Sequence, residues 1–240
     1  MMKEKSFGEQ TALVTGGATG IGRAFAAALV EAGIGAVLIA SRRRDKLEQA
    51  AAEMNARGGA EKIFPYAFDL RSAGETEALA AYALEKFGAV DLLINNSGLA
   101  VPETVTEITD EGWDKVLETN LRGAARLVRL LLPKMLEQDF GDVVNVASQA
   151  GKHGYADVPT YCASKFGLLG YAEALRDDVR KRGANVRVFN FCPGLVDVES
   201  PPDAPARPGF VHVANLARTL LYALALDRNV VLEDVNLYSR

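Results

Sequence analysis

Short apolar runs alternate with longer amphipathic stretches from one end of the chain to the other. That alternation argues for repeated βα units and a mostly parallel sheet. The apolar runs predict strands over residues 11–15, 36–41, 63–68, 92–95, 143–147, 186–191 and 231–237. The amphipathic stretches predict helices over residues 21–32, 45–57, 73–87, 110–136 with a break near Asn120, 160–182 and 211–226. These elements describe an α/β doubly wound parallel sheet of about seven strands with helices on both faces, which binds ligands at the carboxyl ends of its strands. The stretch Ser200-Pro201-Pro202-Asp203-Ala204-Pro205-Ala206-Arg207-Pro208-Gly209 breaks the pattern, because prolines lack the donor that a helix interior or central strand needs. It reads as a loop over the ligand-binding end or a disordered segment, and a substrate loop is expected over about residues 195–210.

Composition narrows the class. With 240 residues and 49% hydrophobic content the chain can bury one large core, so residues 1–240 are expected to form a single domain. A net charge of −4 leaves no basic stripe for nucleic acid, and no uninterrupted apolar stretch is long enough for a bilayer. The start, Met1-Met2-Lys3-Glu4-Lys5-Ser6, is charged and has no apolar signal-peptide region, so a soluble, cytoplasmic protein is expected. Two cysteines, Cys162 and Cys192, are too few for a disulfide framework and lack metal-site spacing, so no metal is expected.

Candidate chemistry begins at the first strand. Ala12-Leu13-Val14 runs into Thr15-Gly16-Gly17-Ala18-Thr19-Gly20-Ile21-Gly22 and then into an Ala-rich helix. A helix N-terminus here presents unpaired amides and the positive end of its dipole to an anion. Gly16 and Gly20 let the backbone turn and approach a pyrophosphate, Gly22 lets the helix pack close to the sheet, and Thr19 and Ile21 complete the cradle. The second strand ends Ser41-Arg42-Arg43-Arg44, with no acid before Asp45 to hold a ribose 2′-hydroxyl. Arg42 can fork onto a 2′-phosphate and Ser41 can donate to it, so NADP(H) is preferred over NAD(H). Asp69, just before Leu70, can accept from an adenine amino group or cap a turn. Asn95-Asn96-Ser97-Gly98 places small polar residues at the end of the fourth strand, where Asn96 and Gly98 would border a nucleotide.

Tyr161 and Lys165 lie four apart and share a helix face, and they follow Ser148 at the end of the fifth strand. A second Tyr/Lys pair, Tyr82 and Lys86, has no serine-tipped strand upstream and reads as a solvated face. A free tyrosine titrates near 10, and a cation close by lowers that by roughly 1–3 pH units, so Lys165 would adapt Tyr161 for proton transfer near neutrality.

In these motifs, from about residue 8 to residue 197, the chain resembles the short-chain dehydrogenase/reductase family of the short single-domain type. The resemblance rests on Thr15-Gly16-x-x-x-Gly20-x-Gly22, Asn95-Asn96-Ser97-Gly98, Asn120, Ser148, Tyr161-Cys162-Ala163-Ser164-Lys165 and Pro193-Gly194. It implies a Rossmann-like fold, a nicotinamide cofactor and reversible carbonyl/alcohol chemistry. By motif position it implies Tyr161 as proton donor and acceptor, Ser148 as holder of the substrate oxygen, Lys165 on the nicotinamide ribose, and Asn120 supporting a water relay to Lys165. Pro193, Gly194 and Val196 would border the nicotinamide. A homodimer or homotetramer through the fourth and fifth helices is the family expectation.

Two departures stand out. Val198 takes the place of a threonine that commonly contacts the nicotinamide carboxamide, which leaves Asp197 or backbone to substitute. The segment between Gly194 and the last helix is shorter than the usual helical lid, which implies an open pocket. The leading expectation is an NADP(H)-dependent oxidoreductase interconverting a small-molecule carbonyl and an alcohol. The alternatives are a non-catalytic NADP(H)-binding regulator and an epimerase or dehydratase working through a transient ketone.

Overall fold

A computed structural model describes residues 5–58, 61–201 and 204–240. The strands are β1 (Thr11–Thr15), β2 (Ala36–Ser41), β3 (Ile63–Ala67), β4 (Leu92–Asn95), β5 (Gly141–Val146), β6 (Val186–Pro193), β7 (Val196–Asp197), β8 (Val211–His212) and β9 (Asp234–Leu237). The helices are α1 (Gly20–Glu31), α2 (Arg44–Gly58), α3 (Ala73–Phe87), α4 (Asp110–Leu117), α5 (Gly123–Glu137), α6 (Pro159–Lys181) and α7 (Val213–Ala225). Seven strands form one parallel sheet in the order β3-β2-β1-β4-β5-β6-β9. The fold is Rossmann-like, and strand order reverses between β1 and β4, where crevices open in such sheets.

Strand periodicity explains the two cores. Ala12 and Val14 pack with α1, α2 and α7 residues such as Phe25, Leu29, Leu47 and Leu216, whereas Leu13 between them packs with Leu79, Leu127 and Leu175 of α3, α5 and α6. A strand buried on both faces needs an unbroken apolar run, which is why these strands do not alternate in sequence. Pro65 is accommodated because β3 is an edge strand.

Polar pairing holds the sheet where apolar packing cannot. On the α5/α6 face Asn95 Nδ2 donates to Asn145 Oδ1 at 3.1 Å, Asn145 Nδ2 to Asn190 Oδ1 at 3.1 Å, and Asn190 Nδ2 to Asp234 Oδ1 at 2.8 Å. Lys152 Nζ closes the row on Asp234 Oδ2 at 2.7 Å. Each step joins residues paired in register on β4, β5, β6 and β9. At the opposite ends of the strands, buried Asp142 receives bidentate bonds from both Arg187 and Arg228.

The break expected near Asn120 in the helix over 110–136 is a π-helical turn, Glu118–Arg122, with Asn120 in its middle; three other sequence expectations change. Gly123 follows because a Cβ there would lie 2.5 Å from Leu70 Cγ. The last strand starts at Asp234, not 231, since its register with β6 begins at Asn190↔Asp234. The helix expected from 211 starts at Val213, because Val211 and His212 pair with Val196 and Asp197, and His212 Nδ1 caps the helix by accepting from Ala214 N at 3.1 Å. Lys86 is not simply solvated: its ammonium stands 4.6 Å from the Phe64 ring centroid, within an aromatic group that includes Tyr82 and Phe87.

Replacing Asn145 by leucine leaves Asn95 Nδ2 and Asn190 Oδ1 buried without their partners. Urea denaturation of Asn145→Leu is expected to show a loss of about 2–5 kcal/mol.

Candidate active site

The first turn and the end of β4 are built as one unit. Thr15 Oγ1 accepts from Asn96 N and Ser97 N, both at 2.9 Å, and donates to Ile94 O at 3.3 Å. Asn96 Nδ2 donates back to Thr15 O at 2.8 Å. Gly16 and Gly20 have φ of 67° and 57°, the left-handed region that glycine occupies without strain. A Cβ on Gly22 would lie 2.5 Å from Gly16 O and 2.4 Å from Asn96 Nδ2, so this glycine lets α1 press against the turn and β4. Thr19 makes no side-chain capping bond, which leaves the first-turn amides of α1 available to a ligand. A Cβ on Gly20 would meet only Val198, at 3.8 Å, so the space above the turn is open.

Two clefts flank this unit. A smaller one of about 230 Å³ is lined by Gly16, Thr19, Ser41, Arg42, Asp69 and Leu70 among others. A larger one of about 750 Å³ is lined by Ile21, Ser148, Tyr161, Lys165, Pro193, Gly194 and Val196 among others. Asn96, Gly98 and Leu99 line both, so the two run together at the strand-order reversal. Among the described residues the guanidinium groups of Arg42 and Arg43 have no hydrogen-bond or ion-pair partner, whereas Arg44 lies 3.9 Å from Glu48. Arg43 also lines the smaller cleft, a position the sequence expectation left out. Asp69 faces that cleft but holds Arg71 at 2.6 Å, and the Arg71 hydrogen bonds keep its carboxyl below the usual carboxylate range.

Asn120 does not line either cleft directly. Its Nδ2 donates to Leu99 O at 2.8 Å and Ser164 Oγ at 2.9 Å, and its Oδ1 accepts from Leu99 N at 2.8 Å. Ser164 Oγ in turn donates to Tyr161 O at 2.7 Å. The π turn thus clamps the segment after β4 to the first turns of α6, and Gly98 lies beside both residues, where a Cβ would make ordinary contacts of 3.4 Å with Asn120 Oδ1 and 3.5 Å with Lys165 Nζ. Ser164 and Thr15 were present in the quoted motifs without a role. A hydroxyl at a strand end or one helical turn from a functional residue was the available signal.

Lys165 is 3% exposed and donates to Val146 O at 2.7 Å. Burial disfavours its ammonium and brings its pKa down to about 8. Tyr161 departs from the sequence expectation: burial of the phenolate raises its pKa, partly offset by a hydrogen bond with Ser148. Lys165 does not reverse that, because its ammonium is 5.6 Å from the Tyr161 ring centroid and directed at the Val146 carbonyl.

Beyond the site, Asp197 is fully buried and cannot serve the nicotinamide as the sequence allowed. Its carboxylate accepts from Ser200 Oγ at 2.6 Å, Arg207 N at 2.8 Å, Glu199 N at 3.1 Å and Ser200 N at 3.2 Å. The Ser200 hydroxyl, followed by the Arg207 amide, holds it well below the usual carboxylate range. It gathers the proline-rich loop, and His212 Nε2, 2.9 Å from Pro201 O, adds a second tie. Pro202 and Asp203 of that loop lie outside the described residues.

A doubly wound sheet with an anion cradle at its first turn and a Ser/Tyr/Lys wall beside it is a nucleotide-binding architecture fitted for redox chemistry. The chain belongs to the short-chain dehydrogenase family, whose model matches residues 10–206. It is 33% identical over 232 residues to the ketoacyl reductase HetN of a Nostoc species, covering 95% of this chain and 79% of that one. Its structure is similar to an alcohol dehydrogenase from Thermococcus sibiricus complexed with 5-hydroxy-NADP, at 27% identity and a TM-score of 0.85, covering 96% of each chain. It is equally similar, with 30% identity and a TM-score of 0.85, to an actinorhodin polyketide ketoreductase variant with NADPH, covering 98% of this chain and 97% of that one. This is an oxidoreductase family, and its fold binds a nicotinamide cofactor. Among the described residues no helix is long and apolar enough to cross a membrane.

The Lys165 shift has a thermodynamic consequence. Between pH 8 and 10.5 the unfolded chain holds a proton at this residue that the folded chain has lost, so stability rises with pH across that window. The burial penalty is fully present below pH 8 and gone above 10.5. Denaturation midpoints measured across that range are expected to climb for wild type relative to Lys165→Met. In the turn, Gly22→Ala is expected to weaken dinucleotide binding at least about tenfold in a fluorescence titration, by pushing α1 away from Gly16 and Asn96.

Proposed function

We propose that this protein is an NADP(H)-dependent oxidoreductase that interconverts a carbonyl compound and the corresponding alcohol, with Tyr161 as the proton donor and acceptor. The observation that carries the reading is the meeting of the two clefts at Asn96, Gly98 and Leu99, with Arg42, whose guanidinium makes no hydrogen bond or close ion pair among the described residues, in one and Ser148, Tyr161 and Lys165 in the other.

The residues fit such a cofactor. The uncapped first turn of α1 and the open space above Gly20 would receive the pyrophosphate. Ser41 and Arg42 would hold the 2′-phosphate, and Asp69 and Leu70 would border the adenine side. Pro193, Gly194 and Val196 would border the nicotinamide side. When bound, the nicotinamide supplies or accepts the hydride.

On this reading the Ser148 hydroxyl donates to the substrate oxygen, and its bond strengthens as that oxygen gains charge. Tyr161 donates its phenolic proton to the same oxygen in reduction and removes it in oxidation. The raised pKa of Tyr161 keeps it protonated at neutral pH, which suits donation. Lys165, with a pKa of about 8, is positioned by Val146 O on the same wall and can return a proton after Tyr161 has given one up. Asn120 positions α6 through Ser164. Similarity to a ketoacyl reductase and an NADPH-bound ketoreductase supports carbonyl reduction with NADPH as the assay to run first.

Titrating NADPH and NADH against wild type and Arg42→Ala is expected to show tighter NADPH binding, weakened roughly 10–100-fold by the substitution, with NADH little changed. Equal NADH binding by wild type overturns the cofactor assignment. Tyr161→Phe is expected to lower kcat by about 10²–10⁴ with NADPH affinity retained, and unaltered turnover in that variant sinks the role of Tyr161.

A further inference from the structure

We infer that the larger cleft selects an uncharged carbonyl compound with an apolar body and rejects carbonyl compounds bearing a carboxylate or phosphate. The inference rests on the oxidoreductase reading and adds the class of substrate. Its basis is the charge and hydrogen-bonding inventory of the wall. Among the described lining residues Lys165 is the only lysine, arginine, histidine, aspartate or glutamate, and it is buried with its ammonium on Val146 O. Around Ser148 and Tyr161 the wall is made of Leu99, Ala100, Ala147, Val158, Leu195 and Val198.

Gln149 is the polar side chain nearest in sequence to Ser148, and it cannot serve an anion. Its Nε2 donates to Cys192 O at 2.7 Å and to Asn236 Oδ1 at 3.2 Å. The backbone carbonyl of Cys192 fixes which end of the amide faces it, so the amide presents only an acceptor oxygen to anything else. The nearby cations are engaged outside the lining. Arg207 is held by Asp197 and Glu199, both at 3.3 Å, and lies over the Phe210 ring, while Lys152 is held by Asp234 at 2.7 Å. A carboxylate entering this cleft would lose its water and find, among the described lining residues, no uncommitted side-chain cation or amide donor.

The rim extends the same chemistry. Leu195, Tyr155 and Val198 are 65%, 50% and 44% exposed at the mouth of a cleft of about 750 Å³. Apolar surface grouped around a ligand cleft is matched by a ligand long or bulky enough to cover it.

The test uses the full chain and matched pairs that differ only in charge, such as the methyl ester of para-acetylbenzoate against para-acetylbenzoate, and a long-chain oxo-ester against its oxo-acid. Two readouts are taken: NADPH consumption, and calorimetric binding to the protein without cofactor, where no reduction occurs. The neutral member is expected to lead by at least about 30-fold in both, the scale of one unpaired desolvated charge. Leu195→Arg is expected to narrow that preference at least about tenfold by supplying the missing cation at the rim. Carboxylates consumed as well as their esters overturn the inference and leave the oxidoreductase reading standing. Esters that bind selectively without being reduced support the cleft chemistry and sink the oxidoreductase reading. Failure of every pair to bind, or an unchanged preference in Leu195→Arg, overturns the inference.

Discussion

The hydroxyl of Thr15 is the tie on which the ligand-binding end depends. It accepts two successive amides, those of Asn96 and Ser97, at the place where the sheet reverses its strand order. Those amides lie just beyond the last residue of β4, where the ladder no longer supplies a partner, and both are partly buried, so leaving them unpaired would be costly. By taking both, Thr15 holds the ends of β1 and β4 together while the glycines beside it keep the backbone of the turn exposed. Both clefts diverge from this point, so the relative placement of a nucleotide and the Ser148–Tyr161–Lys165 wall is set by a few hydrogen bonds in the main sheet.

The wall itself is stabilised at a cost. Lys165 is an ammonium taken out of water with the Val146 carbonyl as its hydrogen-bond partner, and its lowered pKa reflects that burial. Asn120 compensates geometrically by fastening Leu99 on one side and Ser164 on the other, which keeps α6 registered against the loop after β4. From the other side Lys152 and Gln149 tie the segment after Ser148 to Asp234 and Asn236 of the edge strand β9. Ser148 therefore sits on a short segment held at both ends, and its neighbours in sequence contribute anchoring more than ligand contact.

The loop after β6 follows a different logic. Its prolines donate no backbone hydrogen bonds, and a buried carboxylate, Asp197, collects the amides of Glu199, Ser200 and Arg207, tying two parts of the loop together. Val198, next in the chain, turns outward to the rim and the Gly20 turn. The result is a cleft bordered by hydrocarbon at its mouth, a property of how the loop is folded and not of any one residue type.

Short apolar runs alternating with amphipathic stretches were enough to read the seven-stranded doubly wound fold, because burial on both faces of a parallel sheet imposes such runs locally, and the glycine spacing and the Tyr161/Lys165 separation marked its ligand-binding end. The same patterns picked out residues that the structure brings to the two clefts, including Gly16, Arg42, Ser148, Tyr161 and Lys165. What spacing could not disclose were interactions between residues far apart in the chain. The Asn95–Asn145–Asn190–Asp234 row depends on strand register, and the Asn120–Ser164 contact depends on helix packing. The commitment of Asp197 to its own loop depends on how that loop closes. Even the pKa of Tyr161 moved opposite to the expectation, since a cation four residues away in sequence acts only where its ammonium points, and here tertiary packing points it at Val146. The sequence by itself determined the elements and the chemical groups at their ends, because local periodicity encodes burial; only the tertiary structure decided which of those groups are engaged and which are left to meet a ligand, because that is settled by distance in space.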